Sequence, residues 1–203
     1  RGFNANSELG SNSTAVEGGL SAETYGYKSG HTSDGWTMVD GTDTVDSQED
    51  GNTNQPSVTY VGWTWKANGG TTTSQTGADI NSVTQADTTA GFSIVTYTGD
   101  GNTSQTVKHG LGGVPEAIIM KNRERSSNWE SYFAPVGNSH IMEFNGTSAK
   151  QDTDNYGNTD PTSTVFTVDS GANNANASGE NIVAYCFRSI QGYSKIGGYK
   201  GNG

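Results

Sequence analysis

The residues best suited to chemistry lie in His109-Gly110-Leu111-Gly112-Gly113-Val114-Pro115. An imidazole among flexible glycines could serve as a general base or close on a phosphate. A phosphate loop should open a helix, yet the next regular run, Ala117–Lys121, reads Ala-Ile-Ile-Met-Lys and has strand character. A base needs a nucleophile within reach, and no Ser or Cys motif with that spacing is nearby. The imidazole is therefore expected to hydrogen-bond backbone in the turn that feeds the strand at Pro115. Glu116, Glu124, Glu130 and Glu143 could supply the carboxylate pair of a glycoside hydrolase, which leaves no sequence signature. Glu130 and Glu143 neighbour the apolar Trp129 and Phe144, so an outward strand face accounts for them.

Other candidates are weaker. Asp40, Asp43, Asp46, Glu49 and Asp50 could ligate calcium, but the alternate-acid spacing with a central glycine and terminal glutamate is missing. A solvated charge run is the simpler reading, there and for Asp152 and Asp154. His31 and His140 stand far apart and form no His-x-His pair. No metal and no cofactor is expected. Cys186, between Tyr185 and Phe187, reads as a small strand side chain.

Aromatic rings offer a different chemistry, stacking on sugars. Trp63 and Trp65 alternate and share one strand face, as do Tyr185 and Phe187, and both pairs are expected in the core. Tyr25, Tyr27 and Tyr156 lie in polar stretches and are the expected glycan contacts.

The elements that would position these groups are short strands. Phe92-Ser93-Ile94-Val95-Thr96-Tyr97 is rich in β-branched and aromatic residues, and Gly99-Asp100-Gly101-Asn102 can make a tight turn with Thr103–Val107 returning. Lys121 to Asn128 reads as the polar tip of a second hairpin, with Trp129 to Phe133 returning. Hydrophobic residues are 30% of the 203, charged residues only 16%, and there are 29 glycines. Such polarity without charge suits turn-rich antiparallel β structure better than disorder. The expected fold is all-β, with a helix content below about a tenth. A formal net charge of −10 opposes binding to nucleic acid or an anionic membrane surface. No apolar run approaches the roughly 20 residues that span a bilayer, and one cysteine allows no internal disulfide framework.

The chain also repeats itself. Thr59-Tyr60-Val61-Gly62-Trp63-Thr64-Trp65-Lys66 matches the pattern of Asn181-Ile182-Val183-Ala184-Tyr185-Cys186-Phe187-Arg188. Gly35-Trp36-Thr37-Met38-Val39 corresponds to Val165-Phe166-Thr167-Val168. Gly192-Tyr193-Ser194-Lys195-Ile196 and Tyr199-Lys200-Gly201-Asn202-Gly203 mirror Gly91-Phe92-Ser93-Ile94-Val95 and Tyr97-Thr98-Gly99-Asp100-Gly101. Residues 1–66 are thus expected to be the back half of one β repeat. Residues 67–90 form a Gly/Thr-rich linker, 91–190 a second repeat, and 191–203 the start of a third or an exit strand. On this reading the sequence is part of a longer array of antiparallel β-sandwich domains, Greek-key or jelly-roll-like. Residues 1–66 lack strands that the second copy has, so contacts with other copies are expected to supply them.

Three motifs together carry a resemblance: Gly91-Phe92-Ser93-Ile94-Val95, then His109-Gly110-Leu111-Gly112 with Pro115, then Tyr185-Cys186-Phe187 with Gly192-Tyr193-Ser194-Lys195-Ile196-Gly197. About half the chain is similar to a repeat domain of unknown function in marine bacteriophage tail fibres and other virion structural proteins. The resemblance implies a virion location, on the tail fibre or capsid surface, and a non-catalytic tail-fibre or spike segment contributing to attachment at a host-surface polysaccharide. A capsid decoration or purely structural virion protein is the alternative, and a polysaccharide depolymerase a distant one. It also implies a homo-oligomer, favouring a trimer, whose partners are its own copies or other virion proteins.

Overall fold

The computed structural model describes residues 8–19, 26–41, 57, 59–170 and 174–202. The chain forms two compact units, Arg1–Thr64 and Trp65–Gly203. In the first, β1 (Tyr27–His31) and β2 (Trp36–Val39) form an antiparallel ribbon, with an irregularity between Lys28 and Gly30. The ring of Trp36 lies over Gly62, where an added Cβ would come within 2.3 Å of it.

The second unit holds the remaining strands: β3 (Thr73–Gln75), β4 (Ser82–Asp87), β5 (Phe92–Thr98), β6 (Gln105–Lys108), β7 (Ala117–Asn122), β8 (Glu130–Phe133), β9 (His140–Glu143), β10 (Gln151–Asp152), β11 (Val165–Val168) and β12 (Asn181–Phe187). One antiparallel sheet takes eight of them in the order β10-β9-β8-β7-β12-β5-β4-β3, and β6 with β11 forms a separate pair. Among the described residues the only helical element is the 3-10 turn Asn68–Gly70. The fold is therefore nearly all β and antiparallel.

Alternation decides which face of the large sheet is buried. Register places Ile182 opposite Tyr97, Ala184 opposite Val95 and Met120, and Cys186 opposite Ile118. These side chains join Val107, Phe166 and Val168 of the β6–β11 pair, with Leu111 and Tyr156 from loops, in one hydrophobic core. Tyr97 meets Phe166 edge-on, ring centroids 6.1 Å apart. The opposite face carries Ile94, Ile119, Tyr185 and Phe187, all half-buried. There Trp129 stacks on Tyr185, and Trp65 leans on Phe92 and Phe187.

The structure corrects several expectations. The 67–90 stretch contains β3 and β4, which extend the large sheet beside β5. Its polar residues mislead because the outer strands of this sheet are covered largely by hydroxyls and amides. Thr103–Val107 does not return beside β5: β6 crosses to the second layer and pairs with β11. Trp63 and Trp65 are 75% and 55% exposed, so they do not occupy the core. Their counterparts Tyr185 and Phe187 are half-buried on the outward face of β12. The two segments share a pattern, but among the described residues β12 has neighbouring strands on both sides and the earlier segment has none. Lys121 and Asn122, expected in a hairpin tip, end β7 and are fully buried.

Candidate functional site

Four strands position a polar concavity of the second unit. β3 and β4 set Ser74 opposite Val83 and Gln75 opposite Ser82. β5 brings Thr96 against Val83, and β12 sets Asn181 against Thr98. These residues, with Thr76, Asn81 and Tyr97, line a groove of about 440 Å³. Every lining side chain is neutral, although the chain carries ten net negative charges. Part of the lining is fixed internally. Gln75 Nε2 donates to Thr84 Oγ1 at 3.1 Å, Thr98 Oγ1 to Asn181 Oδ1 at 3.1 Å, and Ser82 Oγ to Lys108 O at 2.7 Å. Val83 stands 41% exposed and gives the groove an apolar patch. Hydroxyl and amide groups around such a patch suit a ligand that presents hydroxyls and C–H faces together.

The catalytic candidates named from the sequence are hydrogen-bonded within the fold. His109 is fully buried: its Nδ1 accepts from the N–H of Leu111 at 3.1 Å, and Nε2 faces Thr162 O at 3.3 Å. With Nδ1 accepting, the proton belongs on Nε2, which donates to Thr162. Burial lowers its pKa, opposed by that bond to Thr162, and the ring is neutral at pH 7. The imidazole therefore ties the glycine-rich turn to the segment entering β11, as its surroundings in the sequence suggest.

Lys121 donates through Nζ to the carbonyls of Asn122 and Arg125, at 2.6 and 2.9 Å, and to Ser127 Oγ at 3.4 Å. Three acceptors match its three N–H groups, and the ammonium pins the β7–β8 loop. Burial lowers its pKa from 10.5 to about 8.

Glu130 overturns the expectation of an outward face. It is 6% exposed and takes the amides of Asn155 and Asn174, each at 2.6 Å. Burial raises its pKa, and the two amides oppose the rise. Glu143 lies directly across the ladder, held by Asn128 and Ser148. Glu124 accepts from Asn181, and Glu116 from Ser189. The Cys186 thiol is pushed up to about 12 by burial, which leaves it a poor nucleophile at neutral pH.

The tyrosines chosen from the sequence do not come together. Tyr25, like Asp43, Asp46, Glu49 and Asp50, lies outside the described residues. Tyr27 is half-buried on β1 in the first unit. Tyr156 belongs to the core of the second: it is 1% exposed and meets Tyr132 edge-on at 5.5 Å. The reason is the neighbouring Asn155, whose amide reaches Glu130 and whose carbonyl accepts from Asp169 N, drawing the polar loop inward. Among the described residues no group of three or more His, Cys, Asp or Glu is placed to hold a metal ion. None of their helices is long and apolar enough to cross a membrane. The neutral groove escaped sequence reasoning because its lining comes from four strands, with Ser74 and Asn181 more than 100 residues apart.

Residues 1–203 match the family described as a domain of unknown function, DUF7483. The chain belongs to that family. No curated protein matches it, and no solved structure does.

Proposed function

We propose that this member of the DUF7483 family is a non-catalytic structural module of a bacteriophage virion, part of a tail fibre or spike, that contacts host-surface polysaccharide through its neutral groove. The carrying observation is a groove without a charged side chain in a strongly acidic chain. Acidic proteins repel anionic ligands at long range, so a neutral, hydroxyl-bearing partner fits this lining best. The engagement of His109, Lys121 and Glu130 in backbone and amide bonds supports the non-catalytic part of the reading. The resemblance of the Gly91–Val95, His109–Pro115 and Tyr185–Phe187 motifs to phage structural repeats supports the virion part, together with the proposal that β-sandwich units recur along a longer protein.

A glycan array tests the groove. The chain should retain neutral glycans, and Val83→Arg or Ser74→Trp, which fill the groove from exposed positions, should weaken retention at least tenfold with an unchanged circular-dichroism spectrum. Equal retention by the variants would move the site elsewhere. An array with no bound glycan would leave the molecule a purely structural component.

A further inference from the structure

The segment Val61–Thr64 has the pattern of a central strand and none of the neighbours. Its counterpart, β12, lies between β5 and β7. Val61, Gly62, Trp63 and Thr64 belong to no strand and make no backbone hydrogen bond among the described residues. Val61 and Trp63 are 73% and 75% exposed, whereas Val183 is fully buried and Tyr185 half-buried. A strand-like run that shows water two large apolar side chains and a free edge invites pairing.

The sequence of the chain also contains a partner of the right kind. In the second unit β12 pairs with β5, which begins Gly91-Phe92-Ser93-Ile94-Val95. Gly192-Tyr193-Ser194-Lys195-Ile196 repeats that opening. Both glycines take the same left-handed conformation, φ 70° at Gly91 and 79° at Gly192. From Lys195 to Asn202 the chain belongs to no strand, and Tyr193 and Tyr199 are exposed.

We infer that Val61–Thr64 of one copy pairs antiparallel with Ser194–Gly197 of another, as β12 pairs with β5, joining copies head to tail. Carrying the register over places Thr64 opposite Ser194, as Cys186 lies opposite Ser93. Trp63 then faces Lys195, as Tyr185 faces Ile94, and Gly62 faces Ile196, as Ala184 faces Val95. The last pair fits for a local reason. The ring of Trp36 fills the space above Gly62, so an Ile196 side chain on that face meets an aromatic surface rather than water. Trp63 opposite Lys195 can add a cation–π contact. Pairing asks Ser194 to exchange its hydrogen bonds with Ile190, and Ile196 its bond to Ser189 Oγ, for ladder bonds. This inference deepens the reading of the chain as a component of a repeating assembly. It does not depend on the groove binding glycan.

Two chains with one new cysteine each, Thr64→Cys and Ser194→Cys, test it when mixed under mild oxidation. Residues directly opposite in a ladder lie within disulfide reach. The mixture should give a heterodimer at least tenfold above either homodimer, and a Thr159→Cys control should give no such excess. The native Cys186 is buried and should stay unlinked. Light scattering of the unmodified chain adds a readout independent of cysteine. Its mass should rise above 21.3 kDa with concentration, and Ile196→Asp should hold it at the monomer. A heterodimer no more abundant than the homodimers, or a wild-type mass fixed at the monomer across the concentration range, would overturn the inference, whatever the glycan array returns.

Discussion

Residues 59–66 and 181–188 follow one pattern and meet opposite fates. The first is exposed throughout, while the second is the central strand of an eight-stranded sheet. Alternation states which side chains share a face, but burial requires neighbours on both edges and a layer above. β12 has β5 and β7 beside it and Phe166 and Val168 facing it across the core. Val61 to Thr64 pair with no strand among the described residues of their unit, and the Trp36 ring over Gly62 leaves Val61 and Trp63 largely exposed. The lesson is that a strand pattern is a statement about potential, and topology decides whether it is used.

The largest break in the comparison should come at Ile182, fully buried in β12. Ile182→Ala is expected to cost about 2–5 kcal/mol through lost burial and the cavity left behind. Val61→Ala should change the isolated chain by less than about 0.5 kcal/mol. Urea unfolding of both variants measures the difference, and equal costs would mean that the two segments are buried alike.

Glycines give the next largest contrast. Gly91 has φ 70°, and a Cβ there would stand 2.7 Å from Ile190 Cγ1 and 2.8 Å from the backbone oxygen of Arg188. Gly91→Ala should cost about 1–3 kcal/mol, because the backbone at the end of β12 must shift. At Gly62 the three atoms nearest an added Cβ all belong to the outer ring of Trp36, a side chain that can turn, so the thermal midpoint of Gly62→Ala should move less. A larger shift at Gly62 would show that the ring is fixed in place.

A third test uses Lys121, directly opposite Val183. Its folded pKa, about 8, lies below the ordinary 10.5. As pH falls from about 10.5 to about 8, the unfolded chain binds a proton that the folded chain does not yet take. This group's contribution to stability is therefore full above the unfolded pKa and is lost as pH falls to about 8. The difference in unfolding free energy between wild type and Lys121→Met should fall across that window and be flat below it. A difference independent of pH from 7 to 11 would place the ammonium in water. The smallest effects belong to the outward rings. Tyr185→Ala should lose about 1 kcal/mol with its stacking on Trp129, while Trp63→Ala should stay within about 0.5 kcal/mol in dilute protein.

Strands with strong alternation were legible in the sequence: β5, β7, β11 and β12 lie where branched and aromatic residues cluster. The backbone role of His109 was legible too, because glycines and a proline around it leave local carbonyls and N–H groups as its nearest partners. What escaped was long-range. Glu130 is buried because Asn155 and Asn174, 25 and 44 residues away, satisfy it. Nothing adjacent to Glu130 announces either amide. Tyr156 follows Asn155 inward for the same reason. β4 was missed because Ser82 and Thr84 are buried through bonds to Lys108 O and Thr73 O, partners unlike the apolar contacts that alternation detects.

The great sheet ends on one side in β10, two residues long, and on the other in β3, three residues long and polar. Neither rim offers a foreign chain enough backbone to template a ladder. The rims of this sheet are thus protected against indiscriminate edge-to-edge pairing, even though the sheet itself is wide. In the proposed pairing, association rests instead on two short stretches of defined sequence, Val61–Thr64 and Ser194–Gly197, so it can be selective where aggregation is not.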